Sequence, residues 1–386
     1  MPMFVTLFWA VLLLLDKKRN LPQGYLAIFF LVSFIDYLAH ASFFLHEYRL
    51  FAFLDNLWVF TSLSGYPLYY YYLRLLTRDL KVQWRWIWIL LPSFLLSFYS
   101  FVVYFLMSDQ ELYIFVHEFM YHEGQYSISL PLLVRLQILR THVFKVIFAV
   151  QLVLVVVCGF RLITSYDRKL THFYSNIQGR DLVSFKALLV GFLFASSVSI
   201  LSSVIGKDYF IDKGPLLAIP SLLHSAFLYW VGYAGYKQRF TISDFNKDIL
   251  LYKSQKQRES HDMLTPETST SAMSRMLENV MLSESLYAKP DLKISDLALR
   301  LNTNRSYISR ALNNDLNTDF CSWVNHYRIS HAKQLMGNDL QSTLSMEYIA
   351  EASGFSNITT FYRVFKKQTQ MTPGDYQKAL RDKSQA

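Results

Sequence analysis

Cysteine is nearly absent: the 386-residue chain has 2, Cys158 inside an apolar run and Cys321 in a later, more polar stretch. Two cysteines placed so differently make no disulfide framework, and neither has the spacing of a metal site. Charge is scarce too. Only 17% of residues are Asp, Glu, Lys or Arg, against 52% hydrophobic residues and a mean hydropathy of +0.19. An ordinary soluble domain carries about a quarter charged residues, so that balance argues against a wholly soluble protein. The chain also lacks a phosphate-binding glycine loop, a phosphoacceptor domain and any catalytic constellation. It therefore reads as a protein that is not an enzyme and needs no cofactor.

What is present instead is apolar sequence, confined to the first 236 residues. Runs long enough to approach a bilayer's thickness occur at about 2–15, 24–46, 51–76, 86–107, 143–163, 185–205 and 215–236. They predict a seven-helix transmembrane domain over residues 1–236. The first run has no basic start and no small-residue cleavage site, and Lys17, Lys18 and Arg19 follow it. That is the pattern of an uncleaved anchor with its N-terminus outside. With this start, twelve basic residues flank the spans on the cytoplasmic side (Arg74, Arg78, Arg161 and Arg168 among them) and six on the other. Seven crossings then leave residue 237 onward in the cytoplasm of a bacterial inner membrane. The longest outer loop, 108–142, is expected to hold a short interfacial helix. Its group His117, Glu118, His122 and Glu123 does not follow the His-Glu-x-x-His spacing, so no metal is assigned.

Four ionisable residues fall inside the spans: Asp36, His40, Asp55 and His224. Such groups are costly in hydrocarbon and usually face a bundle interior or a water-filled cavity. They form a candidate sensor pocket for a proton or small ligand, with helix-packing hydrogen bonds as the plainer reading.

The C-terminal part contains the same helical device twice. In residues 293–312, Leu297, Ala298, Leu301, Ile308, Ala311 and Leu312 recur at helical spacing on either side of a short Asn-Thr-Asn break. In residues 346–367, Ile349, Ala350, Phe355, Phe361, Val364 and Phe365 do the same around Gly354. Each reads as helix, tight turn, helix. The second helices carry polar, cationic outer faces, Arg305, Ser306, Ser309, Arg310 and Asn313 in one, Asn357, Thr359, Thr360, Arg363, Lys366 and Lys367 in the other. Guanidinium and amide groups read base edges in a major groove and lysines meet phosphates, so double-stranded DNA is the expected partner. Net charge does not point there by itself, because residues 237–386 hold 20 Lys and Arg against 16 Asp and Glu.

These two copies, with Tyr307-Ile-Ser-Arg310, Asn325-His-Tyr-Arg328-Ile329, Gly354-Phe-Ser356, Arg363-Val-Phe-Lys-Lys367, Thr372-Pro373 and Tyr376, resemble the DNA-binding domain of the AraC/XylS family of bacterial transcription regulators. The resemblance covers roughly the last hundred residues. It implies helix-turn-helix units at about 294–315 and 345–368, joined by a linker helix over about 319–336, with both recognition helices entering adjacent major-groove segments. It implies base contacts at Ser306, Ser309 and Arg310 and at Ile358, Thr359, Tyr362 and Arg363. Asn317 and Gln370 stand where the family usually has Gly, and Gln377 where it usually has Arg. Asn tolerates the left-handed conformation that the first of these turns needs.

The organisation expected is thus all-α: a polytopic membrane bundle at 1–236, a juxtamembrane helix and flexible linker at 237–274, and an AraC-type domain at 275–381, its first helix at about 276–286. In the juxtamembrane helix a stripe of Phe245, Ile249 and Tyr252 is a candidate homodimer seam. The function expected is a membrane-bound one-component transcription regulator. The alternative is a transporter or membrane enzyme with a C-terminal regulatory domain.

Overall fold

The computed structural model describes every residue except 44–47, 122–129, 206–213, 260–269, 340–342 and 386. His122 and Glu123 of the outer-loop group, and much of the expected flexible linker, lie outside the described residues. The described chain is helical, with one isolated antiparallel bridge between Tyr174 and Lys293. It divides into two compact units, Met1–Thr164 with Leu182–Ser243, and Ser165–Asp181 with Asp244–Ala386.

The first unit holds α1 (Pro2–Leu15), α2 (Leu21–Phe43), α3 (Tyr48–Thr77), α4 (Leu91–Leu106), α5 (Asp109–Tyr113), most of α6 (Leu132–Thr171), α7 (Val183–Ile205) and α8 (Gly214–Lys237). A helix underlies each of the seven apolar runs. Three stretches among the described residues, Leu21–Ala41, Trp84–Leu106 and Leu132–Thr171, are long and apolar enough to cross a membrane; Pro2–Leu15 and Val183–Ser199 are apolar but shorter. The stretch 108–142, expected to be a loop, is shortened by α6, which already begins at Leu132 and runs 40 residues. The helix expected within it is α5, opened by a capping box in which Ser108 Oγ accepts from Glu111 N–H and Glu111 Oε2 accepts from Ser108 N–H.

Small residues let these helices approach closely. A Cβ at Gly232 of α8 would lie 2.2 Å from the Trp9 ring, and one at Gly235 2.2 Å from Leu26. Where hydrocarbon surrounds a bundle, such close packing replaces the hydrophobic drive that water would supply. The C-terminal end of α8 is then tied to the α1–α2 turn. Asn20 Nδ2 donates to Gln238 O, Gln23 Nε2 donates to Tyr236 O at 2.9 Å, and Arg239 pairs with Asp16 at 3.0 Å. The basic turn after α1 and the exit from α8 thus lie at one end of the unit.

The second unit contains the end of α6, most of α9 (Ile242–Glu259), α10 (Thr270–Ser283), α11 (Ile294–Arg300), α12 (Arg305–Arg310), α13 (Phe320–Asn338), α14 (Met346–Ala352), α15 (Ile358–Thr369) and α16 (Pro373–Gln385). The first helix of the C-terminal domain starts at Thr270, six residues earlier than expected, and its Leu277 and Met281 are buried. The α9 stripe expected to join two protomers is covered within the chain instead. Phe245 and Tyr252 are buried, and the Phe245 ring lies 5.3 Å from Phe173.

Side-chain caps open the linker helix and both helices of the second helix-turn-helix. Asp319 opens α13 by accepting from Ser322 N–H at 2.9 Å, Ser345 opens α14 by accepting from Tyr348 N–H, and Asn357 opens α15 by accepting from Thr360 N–H at 2.9 Å. The apolar faces close on a core of Ile329, Ala332, Met336, Ile349, Ala350, Phe355, Phe361 and Phe365. Asn317 takes the left-handed conformation at φ 45°, and Gln370 does so at φ 62° while its N–H donates to Lys366 O at 2.9 Å. The closing turn thus forms without glycine. Gln377 is buried, and its Nε2 has no hydrogen-bond partner among the described residues.

Asp339 organises the exit from α13, accepting from Thr343 N–H at 2.9 Å, Thr343 Oγ1 at 2.6 Å and Leu344 N–H at 2.8 Å. Those donors hold its carboxyl below the ordinary 3.8, the Thr343 hydroxyl most of all. A depressed carboxylate stabilises the fold above its unfolded pKa, and the contribution fades as pH falls through the folded value. Acidification below 3.8 should therefore loosen this turn. Asp339→Asn should flatten the acid limb of an unfolding-versus-pH curve, and an unchanged limb would assign the acid sensitivity elsewhere.

Candidate nucleic-acid interface

The two recognition helices are α12, prolonged by one wider turn over Ala311–Asp315, and α15. Their buried sides are Ile308, Ala311 and Leu312 in the first and Phe361 and Phe365 in the second, which turns the remaining positions outward. In the first, Ser306, Arg310 and Asn313 are exposed and Arg305 and Ser309 half-buried. Asn313 Nδ2 donates to Ser309 Oγ at 3.2 Å, and the Arg310 guanidinium lies 5.3 Å from the Tyr307 ring centre. In the second, Thr359, Tyr362, Arg363, Lys366 and Lys367 are exposed. This cationic face is aligned over two helical turns, as a duplex backbone requires.

Three expected contact residues have other duties. Thr360 is buried, with 8% of its surface exposed. Asn357 is half-buried and its side-chain oxygen caps α15, and Ile358 packs against the second unit's core. Capping needs an oxygen at the helix start and burial needs the adjacent turn, so an outer-face pattern alone does not separate these from free groups.

Sequence reasoning assigned no role to Arg328, which is fully buried in α13. Its Nε donates to Tyr287 O at 2.8 Å and its Nη2 to Lys289 O at 2.8 Å, Ser175 Oγ at 3.1 Å and Pro290 O at 3.2 Å. Burial lowers its pKa to about 10, so it remains charged at neutral pH and fixes the turn before α11. The signal was available: Arg328 sits among Val324, Ile329 and Ala332 on the apolar side of its helix. Cys321 lies about two turns earlier, its Sγ–H donating to Ser175 O, and burial raises its thiol to about 11. The raised pKa favours the protonated thiol over the thiolate at neutral pH.

Of the sensor candidates, Asp55 is buried and pairs with Arg140 at 2.5 Å while accepting from Tyr104 OH at 2.9 Å. Asp36 accepts from Thr61 Oγ1 at 3.2 Å, and the His40 ring stacks on Trp58 with centroids 6.3 Å apart. His224 lies between Ser199 Oγ at 3.0 Å and Pro220 O at 2.8 Å. Arg140 is thus the buried counter-ion of Asp55.

Residues 297–379 match the family model described as a helix-turn-helix domain. The segment is similar to the xylose operon regulatory protein of Haemophilus influenzae, 32% identical over 85 residues, which is 22% of this chain and 21% of that one. It is similar also to the regulatory protein PocR of Salmonella typhimurium, 30% identical over 94 residues, covering 24% of this chain and 30% of that one. The chain thus spans under a third of the length of these curated relatives. Among solved structures, the C-terminal domain of the two-component response regulator yesN from Fusobacterium nucleatum aligns at 27% identity with a TM-score of 0.24, covering 27% of this chain and 96% of that one.

Proposed function

We propose, from the premise that residues 297–379 are a helix-turn-helix domain of the AraC type, that the protein is a membrane-bound one-component transcription regulator. The observation that carries this reading is the pair of recognition helices that turn Ser306, Arg310, Thr359, Arg363, Lys366 and Lys367 away from two formed cores. Arginine forks suit guanine O6 and N7, and the lysines suit phosphates.

The membrane half of the reading is supported by the apolar helices, by glycine-mediated helix contacts, and by the position of Asp16–Arg19 beside the exit of α8. An odd number of crossings puts those two basic segments on one side, the side that holds DNA. The division into residues 1–236, 237–274 and 275–381 belongs to the same proposal. So does a signal received within the membrane bundle, by a proton or small ligand acting on Asp36, His40, Asp55 or His224. Tethering to a bilayer would also raise the effective concentration of one DNA-binding domain for another, favouring homodimeric occupancy of paired sites.

Mapping bound DNA genome-wide with the intact, membrane-inserted protein tests the proposal. Arg310→Ala and Arg363→Ala should each weaken specific binding by about 1–3 kcal/mol, and the double variant should lose discrete peaks. Peaks that survive both substitutions, or a transport or enzymatic activity of the membrane half that both leave intact, would favour the transporter or enzyme reading instead.

A further inference from the structure

The segment joining α6 to α7 belongs to the second unit and lies against both recognition helices. Its backbone is registered on the start of α11: Ser175 N–H donates to Leu292 O at 3.0 Å, and Ile294 N–H donates to Phe173 O at 3.0 Å. From that anchor its side chains reach two helix starts. The Arg305 guanidinium of α12 lies 5.8 Å from the Phe173 ring centre. At α15, Asn176 Nδ2 donates to Ser356 Oγ at 2.6 Å, and Gln178 Oε1 accepts from both Asn357 Nδ2 and Thr360 Oγ1.

These are the places a duplex needs. Recognition helices of this motif meet base edges with their N-terminal residues, and a helix N-terminus is a ready site for a phosphate oxygen. The Gln178 carboxamide puts a partly negative oxygen at that end of α15, held by donors that a phosphate would otherwise use. We propose that residues 173–178 are a built-in competitor for DNA, with Gln178 standing in for a backbone phosphate, so that DNA binds only once this segment withdraws. The segment is continuous with two apolar helices, so a signal that shifts their ends is transmitted to it through the chain. That gives the membrane unit a way to set the competent fraction of the DNA-binding unit, and apparent affinity scales with that fraction. The inference rests on the DNA-binding reading above.

The test is Asn176→Ala/Gln178→Ala in the full-length, membrane-inserted protein, mapped beside the natural sequence and Arg363→Ala. Removing the three hydrogen bonds to Ser356, Asn357 and Thr360 should raise occupancy at the natural protein's sites on the order of tenfold without inducer. Occupancy that stays equal or falls, with the variant inserted at the normal level, would sink the competitor while leaving DNA binding intact. No bound DNA in either protein would remove the DNA-binding reading, and the competitor with it. A second arm uses Asn176→Cys/Ser356→Cys, since neither residue is an expected base contact. Oxidation should abolish binding to fragments recovered in the mapping, and reduction should restore it, with peptide mapping to separate the intended disulfide from one to Cys321. An oxidised protein that binds as well as the reduced one, or a pair that never crosslinks, would overturn the proposal.

Discussion

Arg328→Ala is expected to cost the C-terminal unit about 3–5 kcal/mol, because the substitution leaves several buried acceptors without a donor. The guanidinium holds the carbonyls of Tyr287, Lys289 and Pro290 together, and these belong to the turn that delivers the chain into α11. Among the described residues its hydrogen bonds all go to neutral acceptors, so carbonyl and hydroxyl dipoles carry most of the offset to desolvation, with Asp291 and the Phe355 ring adding to it. Such an arrangement tolerates no shortening. A domain of this size is stable by about 5–15 kcal/mol, so the loss would take most of the margin in the lower half of that range. Amide hydrogen exchange over α13 in the full-length protein should show the corresponding fall in protection. Arg328→Lys keeps the charge but not the planar fork, and should recover part of the loss, not all. A change below about 1 kcal/mol would mean that water replaces the guanidinium at the carbonyls.

The sequence made the linker helix and the second helix-turn-helix legible because each level of coding agreed there, whereas apolar spacing alone revealed the first unit, whose α12 opens on Asn304 without a side-chain cap. Caps at Asp319, Ser345 and Asn357, apolar faces at helical spacing and a glycine at the tight turn all indicate one local structure. The match between the expected 319–336 and the observed Phe320–Asn338 follows from that agreement. In the first unit the helices were legible as apolar runs, but their partners were not. Asp55 finds Arg140, 85 positions away, and no local pattern encodes that pairing. The α9 stripe shows the same limit. Amphipathicity revealed that Phe245 and Tyr252 would be covered; only the fold shows that Phe173 covers Phe245. Likewise the loop at 173–178 has no motif of its own, and its meaning comes wholly from what it touches.

Gly354→Ala should cost on the order of 3 kcal/mol, and its consequences should not be independent of Arg328. Gly354 has φ 86°, a left-handed conformation that an L side chain resists by roughly 1–2 kcal/mol. An added Cβ would also lie 2.3 Å from Tyr287 O and 2.8 Å from Ala288 Cα, and these backbone atoms must move to admit it. Overpacking of this kind adds about 1–3 kcal/mol. Tyr287 O is the atom that accepts from Arg328 Nε, so the displaced carbonyl is withdrawn from the guanidinium. Each substitution therefore damages part of what the other removes. In a double-mutant cycle, Gly354→Ala and Arg328→Ala together should cost less than their sum by about 0.5–3 kcal/mol, since residues that share a partner couple on that scale. Hydrogen exchange on the four proteins supplies the cycle. Strict additivity would mean that the turn yields at Ala288 while Tyr287 keeps its place, and a larger-than-additive loss would mean that Arg328 holds the turn against the added methyl.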